Sequence, residues 1–189
     1  MKKYILNFKV VENRHLHELY SLLILSPIDG MLPEVLPGQF VQIAVDNSKT
    51  TFLRRPISIN YIDRKNGTLW LLIRKAGDGT KAITEKKAGD TINMVLPLGN
   101  SFNAPEEATQ VLLIGGGVGV APLLYLGEVL KKDGYVPHFL IGARSYKDVL
   151  ELDEFNNIGQ VHVSTEDGSY GEKGLVTAHS ILNQKWDKI

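Results

Sequence analysis

The chain has 189 residues, 43% hydrophobic and 22% charged, with 21 basic residues balancing 21 acidic ones and five histidines. That is the composition of an ordinary globular protein. It gives no basic surplus to draw in nucleic acid or an anionic membrane, so neither is expected as a partner. No run approaches the roughly 18 apolar residues of a membrane helix. Cysteine is absent, so the chain supplies no disulfide, no thiol nucleophile and no thiolate for an iron–sulfur cluster. The histidines show no metal-binding spacing, and no metal site is expected. Lys2 and Lys3 are followed by a stretch interrupted at Asn7, Lys9, Glu12 and Asn13, which does not read as a signal peptide. A cytoplasmic protein is expected.

Residues 1 to about 102 read as short strands and turns. Tyr4–Val11 and Leu16–Leu25 carry strand-compatible residues, ended by the turn cluster Ser26–Gly30. After a turn at Pro37-Gly38, apolar and polar residues alternate over Gln39–Val45 and again over Ile57–Tyr61. Thr68–Arg74 is a nearly continuous apolar strand, Ala82–Lys87 suggests a short helix, and Thr91–Leu96 a further strand. Many short strands with regular turns indicate an antiparallel barrel. Asn103–Thr109 reads as a junction.

From about residue 109 strands alternate with helices, the pattern of a parallel α/β sheet. Val111-Leu112-Leu113-Ile114 is too short and apolar for a surface helix and runs into Gly115, Gly116 and Gly117, with Gly119 and Pro122 following. This is a strand, a glycine turn and a helix that Pro122 suits at its first turn. The N–H groups of such a helix end favour a phosphate, although the third glycine of the usual dinucleotide fingerprint would fall at Val120. A tight turn without a ligand fits these residues equally well. Further on, strands are expected at Val136–Ile141 and Gln160–Ser164 and helices at Asp148–Phe155 and Leu175–Leu182, with a polar loop over Thr165–Gly174.

Two stretches of the barrel look chemical. In Leu53-Arg54-Arg55-Pro56-Ile57-Ser58 a guanidinium offers a bidentate grip on phosphate, with a hydroxyl three positions on. In Ile73-Arg74-Lys75-Ala76-Gly77-Asp78-Gly79-Thr80 two glycines beside a threonine make a loop able to cradle a pyrophosphate. A solvated edge and a plain hairpin turn are the corresponding readings without a ligand.

The order R-P-x-S, R-K-x-G-x-G-T, Leu96-Pro97-Leu98-Gly99-Asn100 and G-G-G-V-G-V-A-P resembles the ferredoxin–NADP reductase superfamily over essentially the whole chain. Within it, the chain is most similar to the electron-transfer subunits of bacterial type B dihydroorotate dehydrogenase. The phrases carrying that likeness are Leu53–Ile59, Pro97–Asn100 and Thr165–Gly171. The resemblance implies an antiparallel six-stranded-type FAD-binding β-barrel (residues 1–102) followed by a Rossmann-like parallel NAD-binding α/β domain (residues 109–189, C-terminally incomplete). It assigns Arg55, Pro56, Ile57 and Ser58 to the first flavin motif, with Ile57 where many members have an aromatic residue. Leu72, Ile73 and Arg74 fall on the strand lining the flavin, and Gly79 and Thr80 on the pyrophosphate. Gly115, Gly116, Gly117, Gly119 and Pro122 would face the nicotinamide nucleotide, joined by Thr165, Asp167 and Ser169. No side chain is required as a catalytic acid or base.

The same resemblance implies a further strand with a Cys-Gly-Pro motif and a cysteine-rich [2Fe–2S] segment, neither of which is in this sequence. A shortened chain or an incomplete gene product is the expectation, with an open edge on the α/β sheet and a tendency to associate. The implied function is electron transfer between NAD(H) and an FMN-containing dihydroorotate-oxidising catalytic subunit, as a heterotetramer in pyrimidine biosynthesis. The alternatives are another flavoprotein reductase subunit, of the sulfide dehydrogenase or NADH-dependent ferredoxin–NADP oxidoreductase type, and an inactive flavin-binding fragment. Arg144-Ser145 follows the second α/β strand, where a basic residue suits NADP. The family likeness, with Asp148 and Glu151 nearby, favours NAD.

Overall fold

The computed structural model describes residues 2–46, 50–103, 105 and 110–189. It divides into two compact units, Met1–Ser101 and Phe102–Ile189. Of the expected junction, residues 104 and 106–109 lie outside the described residues.

In the first unit the strands are β1 (Tyr4–His17), β2 (Tyr20–Pro27), β3 (Phe40–Ile43), β4 (Arg55–Ser58), β5 (Tyr61–Asp63), β6 (Thr68–Arg74) and β7 (Thr91–Leu98). One helix, α1 (Asp78–Thr84), lies between β6 and β7. All pairings are antiparallel, in the order β4-β3-β7-β1-β2-β6-β5. Alternation buries Ile92, Met94 and Leu96 of β7 on one face, against Phe8, Leu23, Leu71 and others that exclude solvent almost completely. The two edge strands, β4 and β5, are separated in sequence only by Ile59 and Asn60. The amide of Ile59 donates to the Gln39 carbonyl at 3.1 Å and that of Asn60 to the Trp70 carbonyl at 2.9 Å. A sheet whose first and last strands are joined by two residues has to curl until its edges meet.

The barrel-like unit expected from the sequence is therefore present, with seven strands rather than six and no ladder between β4 and β5 among the described residues. Three boundaries differ from the sequence reading. Leu16–Leu25 is not one strand, because the chain reverses at Glu18-Leu19 without glycine, proline or asparagine to mark it. Ile57–Tyr61 is two strand ends meeting at the seam. The helix expected at Ala82–Lys87 begins four residues earlier, at Asp78. Gly77 is its extended N-cap, so the glycine loop is itself the helix start.

The second unit contains β8 (Gln110–Gly116), a 3₁₀ turn (Gly117–Val120), α2 (Ala121–Lys132), β9 (Val136–Ala143), α3 (Leu152–Ile158), β10 (Gln160–Thr165) and the two-residue β11 (Glu172–Lys173). The sheet is parallel, ordered β11-β10-β9-β8. On one face Phe139 packs on Phe155 at 4.8 Å between ring centres, and a Cβ at Gly127 of α2 would run into the Phe139 ring. On the other face Leu112, Leu140 and Ile181 form a core, with Ile114, Val176, Leu182 and Trp186 against it. The helix expected at Leu175–Leu182 is instead two 3₁₀ turns, Val176–Ala178 and Ser180–Asn183, interrupted by His179 in an extended conformation. The helix expected from Asp148 forms only from Leu152, because Tyr146–Asp148 makes a separate 3₁₀ turn.

An open edge is expected on this sheet; at its β8 edge, the start of the strand is met by residues of the last segment. Val111 and Lys188 form a parallel bridge, the Leu112 amide donates to the Lys188 carbonyl at 3.0 Å, and the Gln110 amide donates to Asp187 Oδ2 at 2.9 Å.

Because Phe139 fills the space between α2, α3 and the sheet, Phe139→Ala is expected to destabilise the second unit by about 3–5 kcal/mol. Urea unfolding of wild type and variant measures this. A change of only a few tenths would show that the ring is not a packing centre.

Candidate functional site

The curl of the first sheet carries β4, at one end of the strand order, to the turn between β6 and α1 at the other. There, Thr51, Arg55, Ala76, Gly77, Asp78, Gly79 and Thr80 line an open pocket of about 330 Å³. The two adjacent arginines divide their tasks. Arg54 is structural: its guanidinium donates to the Asn93 side-chain oxygen at 2.6 Å and to the Gln42 and Asn93 carbonyls at 3.3 and 3.2 Å. Arg55 is the one that lines the pocket.

Gly79 is a glycine for a spatial reason. A Cβ built there would stand 2.9 Å from Arg55 Cδ and 3.1 Å from Thr51 Cγ2. The Thr80 hydroxyl accepts from the amides of Ala76 (2.9 Å) and Gly77 (3.1 Å) and donates to the Gly77 carbonyl (3.0 Å). Two of the loop amides expected to face a ligand are thus spent on Thr80. The amides of Asp78, Gly79 and Thr80 open the helix and have no acceptor within it. A cationic guanidinium, three helix-start amides and a floor without a side chain fit a phosphate group.

Pro56 and Ile57 sit on edge strand β4, opposite Gln42 and Val41, and Ser58 lies opposite Phe40. An edge strand tolerates the amide that proline lacks. Leu72 and Ile73 are both buried, on opposite faces of β6, while Arg74 ends β6 exposed, opposite Tyr20. Asp78, also on the pocket wall, belongs to the loop singled out in the sequence, whereas Thr51 lies outside both stretches and reaches the wall through the fold alone.

In the second unit the parallel register aligns the carboxyl ends of β8, β9 and β10, with Gly116 beside Gly142 and Ala143 beside Thr165. Crevices at such ends are where open α/β sheets bind ligands. Gly115 is packed tightly: a Cβ would meet Leu123 Cδ1 at 2.9 Å and Val120 Cα at 3.1 Å. Gly117 has φ +52°, the left-handed conformation that glycine permits. Gly119 faces open space, and Pro122 stands in the first turn of α2, whose N-terminus carries no side-chain cap.

Thr165, Asp167 and Ser169 are largely occupied with one another and with the loop. The Thr165 hydroxyl donates to the Tyr170 carbonyl at 2.7 Å and accepts its amide at 3.1 Å. Asp167 Oδ1 accepts from the Ser169 hydroxyl (2.7 Å) and amide (2.9 Å), which holds the Asp167 carboxyl below its usual range. The Ser169 hydroxyl in turn accepts the Tyr146 amide at 2.7 Å. After β9, Ser145 Oγ donates to Asp148 Oδ2 at 2.8 Å.

A curled antiparallel sheet with a pocket at its β4 edge, and a parallel α/β unit with a glycine turn, define a class. Fold and sequence place the chain in the ferredoxin–NADP reductase superfamily. Among its sequence relatives are electron-transfer subunits of dihydroorotate dehydrogenase B (NAD⁺). It is 41% identical to the subunit of Shouchella clausii over 143 residues, covering 75% of this chain and 55% of the relative. It is 40% identical to that of a Geobacillus species over 154 residues, covering 79% and 60%. The chain thus spans little more than half the length of these relatives. Among solved structures, an NADH-dependent reduced ferredoxin–NADP oxidoreductase superposes with a TM-score of 0.80 at 28% identity, over 94% of this chain and 64% of that one. Phthalate dioxygenase reductase, at 18% identity and a TM-score of 0.76 over 97% and 58%, shares the fold. No family model matches the chain.

The glycine turn separates packing from openness one residue at a time, and this is measurable. Gly115→Ala is expected to cost about 1–3 kcal/mol through overpacking against Leu123 and Val120. Gly119→Ala, in open space, is expected to stay within about 0.5 kcal/mol of wild type. Equal effects in thermal or urea unfolding would contradict the placement of the two glycines.

Proposed function

We propose that the chain binds FAD on the barrel-like unit and NAD(H) on the α/β unit. In this reading it serves as the flavin-bearing part of an electron-transfer subunit of dihydroorotate dehydrogenase B. The observation that carries it is the pocket where Arg55, Thr51 and the start of α1 converge around Gly79. The 41% identity to the electron-transfer subunits supports the assignment. When bound, FAD supplies the hydride and single-electron chemistry that the side chains of this protein lack.

The residues then have binding and orienting roles. Arg55 neutralises and grips the pyrophosphate, and the bare floor at Gly79 lets it approach the amides at the start of α1. Thr80 holds the loop in shape from behind. Pro56 keeps β4 straight at the sheet edge, where the exposed backbone and the Ser58 hydroxyl are available to a ring edge. Leu72 and Ile73 support that wall from within the core, and Arg74 closes its end.

On the α/β unit, Gly115, Gly116, Gly117 and Gly119 leave the backbone bare, and the α2 N-terminus after Pro122 favours the nucleotide phosphates. Asp148, held by Ser145, is suited to accept a ribose hydroxyl and repels a 2′-phosphate, which favours NAD over NADP despite Arg144.

The partner in this reading is an FMN-containing catalytic subunit that oxidises dihydroorotate, in a heterotetramer, with the cytoplasm as the compartment. No described helix is long and apolar enough to cross a membrane. The chain has no cysteine, so none of its residues ligates a [2Fe–2S] cluster through thiolate. A second reading, a subunit of an NADH-dependent ferredoxin–NADP oxidoreductase, is favoured by the 0.80 TM-score superposition. Co-purification with an FMN protein that oxidises dihydroorotate separates the two.

The direct test is titration with FAD, followed by absorbance and by flavin fluorescence quenching. Saturable binding is expected, weakened roughly ten- to hundredfold in Arg55→Ala, as for loss of a charge-assisted contact. A folded, colourless chain that ignores FAD would overturn the proposal. With flavin bound, faster reduction by NADPH than by NADH would overturn the choice of NAD.

A further inference from the structure

Three histidines far apart in sequence meet on one face of the α/β sheet. His138 of β9 and His162 of β10 have ring planes only 7° apart, with ring centres 5.8 Å apart and His138 Nδ1 3.5 Å from His162 Nε2. That centre-to-centre distance is accounted for by the nitrogen gap plus the two ring radii. The rings therefore lie end to end, nitrogen pointing at nitrogen, rather than face over face. The arrangement has room for one shared proton and no room for a metal ion, and no group of three metal-binding side chains occurs among the described residues.

The C-terminal segment rests on this pair. The Trp186 ring meets His138 edge-on at 4.7 Å, and His179 meets His162 at 6.2 Å. His179 Nδ1 accepts the Ile181 amide at 3.0 Å and lies 3.6 Å from Glu172 Oε2. From β8 the same face receives Leu112 and Ile114. The remaining charged groups of the adjoining elements, Lys173, Lys185, Asp187 and Lys188, are exposed.

We propose that His138 and His162 form an acid-released latch fastening residues 176–188 to the β8–β9–β10 face. The chemistry is that of a shared proton. In the neutral pair one ring donates N–H to the other. The donor ring can take a proton on its far nitrogen and keep the bond. Protonating the acceptor as well, with a second proton, sets two N–H groups head-on and places two cations side by side, with His179 adjacent to His162.

Burial already holds His138 below the ordinary histidine range. Burial, then the nearness of His138 and His179, does the same for His162. A base held low in the folded state stabilises the fold fully above its unfolded value, about pH 6.5, and loses that contribution as pH falls through the folded value. Release has a route to the glycine turn. Val176, the first residue of the fastened segment, packs where a Cβ on Gly142 would stand, 2.8 Å away, and Gly142 adjoins Gly116 in the sheet. The latch itself does not depend on the nucleotide reading.

Hydrogen exchange tests it on the unmodified chain. The Leu112 amide, bonded to the Lys188 carbonyl, reports the latch, and the Leu71 amide of the barrel is the control. Above pH 7 the opening constant at Leu112 is expected to be flat. Below about pH 6.5 it is expected to rise roughly tenfold per pH unit for each proton taken up, with Leu71 unchanged. His162→Gln, which keeps a hydrogen-bonding group but cannot ionise, is expected to flatten the profile. Opening that is independent of pH from 8 to 5, or unchanged pH dependence in H162Q, would overturn the proposal. If H162Q does not fold, NMR titration of the wild-type rings decides. Two coupled steps more than about one unit apart support the latch, and two independent ordinary histidine titrations refute it.

Discussion

The candidate flavin site depends on an approach between two parts of the chain that leaves no room for a side chain. Arg55 lies on the first strand of the sheet order and Gly79 follows the sixth, yet a single added carbon at position 79 would press on the arginine. Only a sheet that curls through most of a circle makes that meeting possible. Strand pairing, inward alternation of Ile92, Met94 and Leu96, and the burial of Leu71 and Ile73 produce the curl. The pocket is its by-product at the rim. The division of labour between Arg54 and Arg55 follows from what each reaches: Arg54, just before β4, is tied to Gln42 and Asn93, and Arg55, the first residue of β4, lines the pocket.

In the α/β unit, packing rather than curvature shapes the site. Gly115 is fixed by Leu123 and Val120, Gly117 by its backbone conformation, and Gly142 by Val176. Each of these three glycines is required for a different reason. The loops after β9 and β10 brace each other through Ser169, Asp167 and the Tyr146 amide.

Much of this was legible in the sequence where a local signal coincided with a tertiary one. Thr68–Arg74 reads as a strand and is one, and the apolar run into three glycines gives strand, turn and helix in that order. The order of four motifs carried the family likeness. What stayed hidden was set by contacts remote in sequence. Glu18-Leu19 turns because β1 and β2 must pair, not because its residues favour a turn. Helix α1 starts at Asp78 because Thr80 ties down Ala76 and Gly77, a capping device that reads as a flexible loop until the hydroxyl is seen. The segment after Leu175 has helical composition, but His179 is drawn to Glu172 and His162, which splits the helix into two short turns. Thr51 carries no local sign of its place on the pocket wall. The histidines looked scattered because β-sheet register, not spacing, brings them together.

The seam at Ile59 and Asn60 acts as a drawstring. Two residues span the gap between the sheet's outermost strands, and their amides are tied to Gln39 and Trp70 on either side. Their number therefore sets the girth of the unit. A longer link there would let the sheet relax toward flatness and draw Arg55 away from the start of α1, while every pocket residue kept its identity.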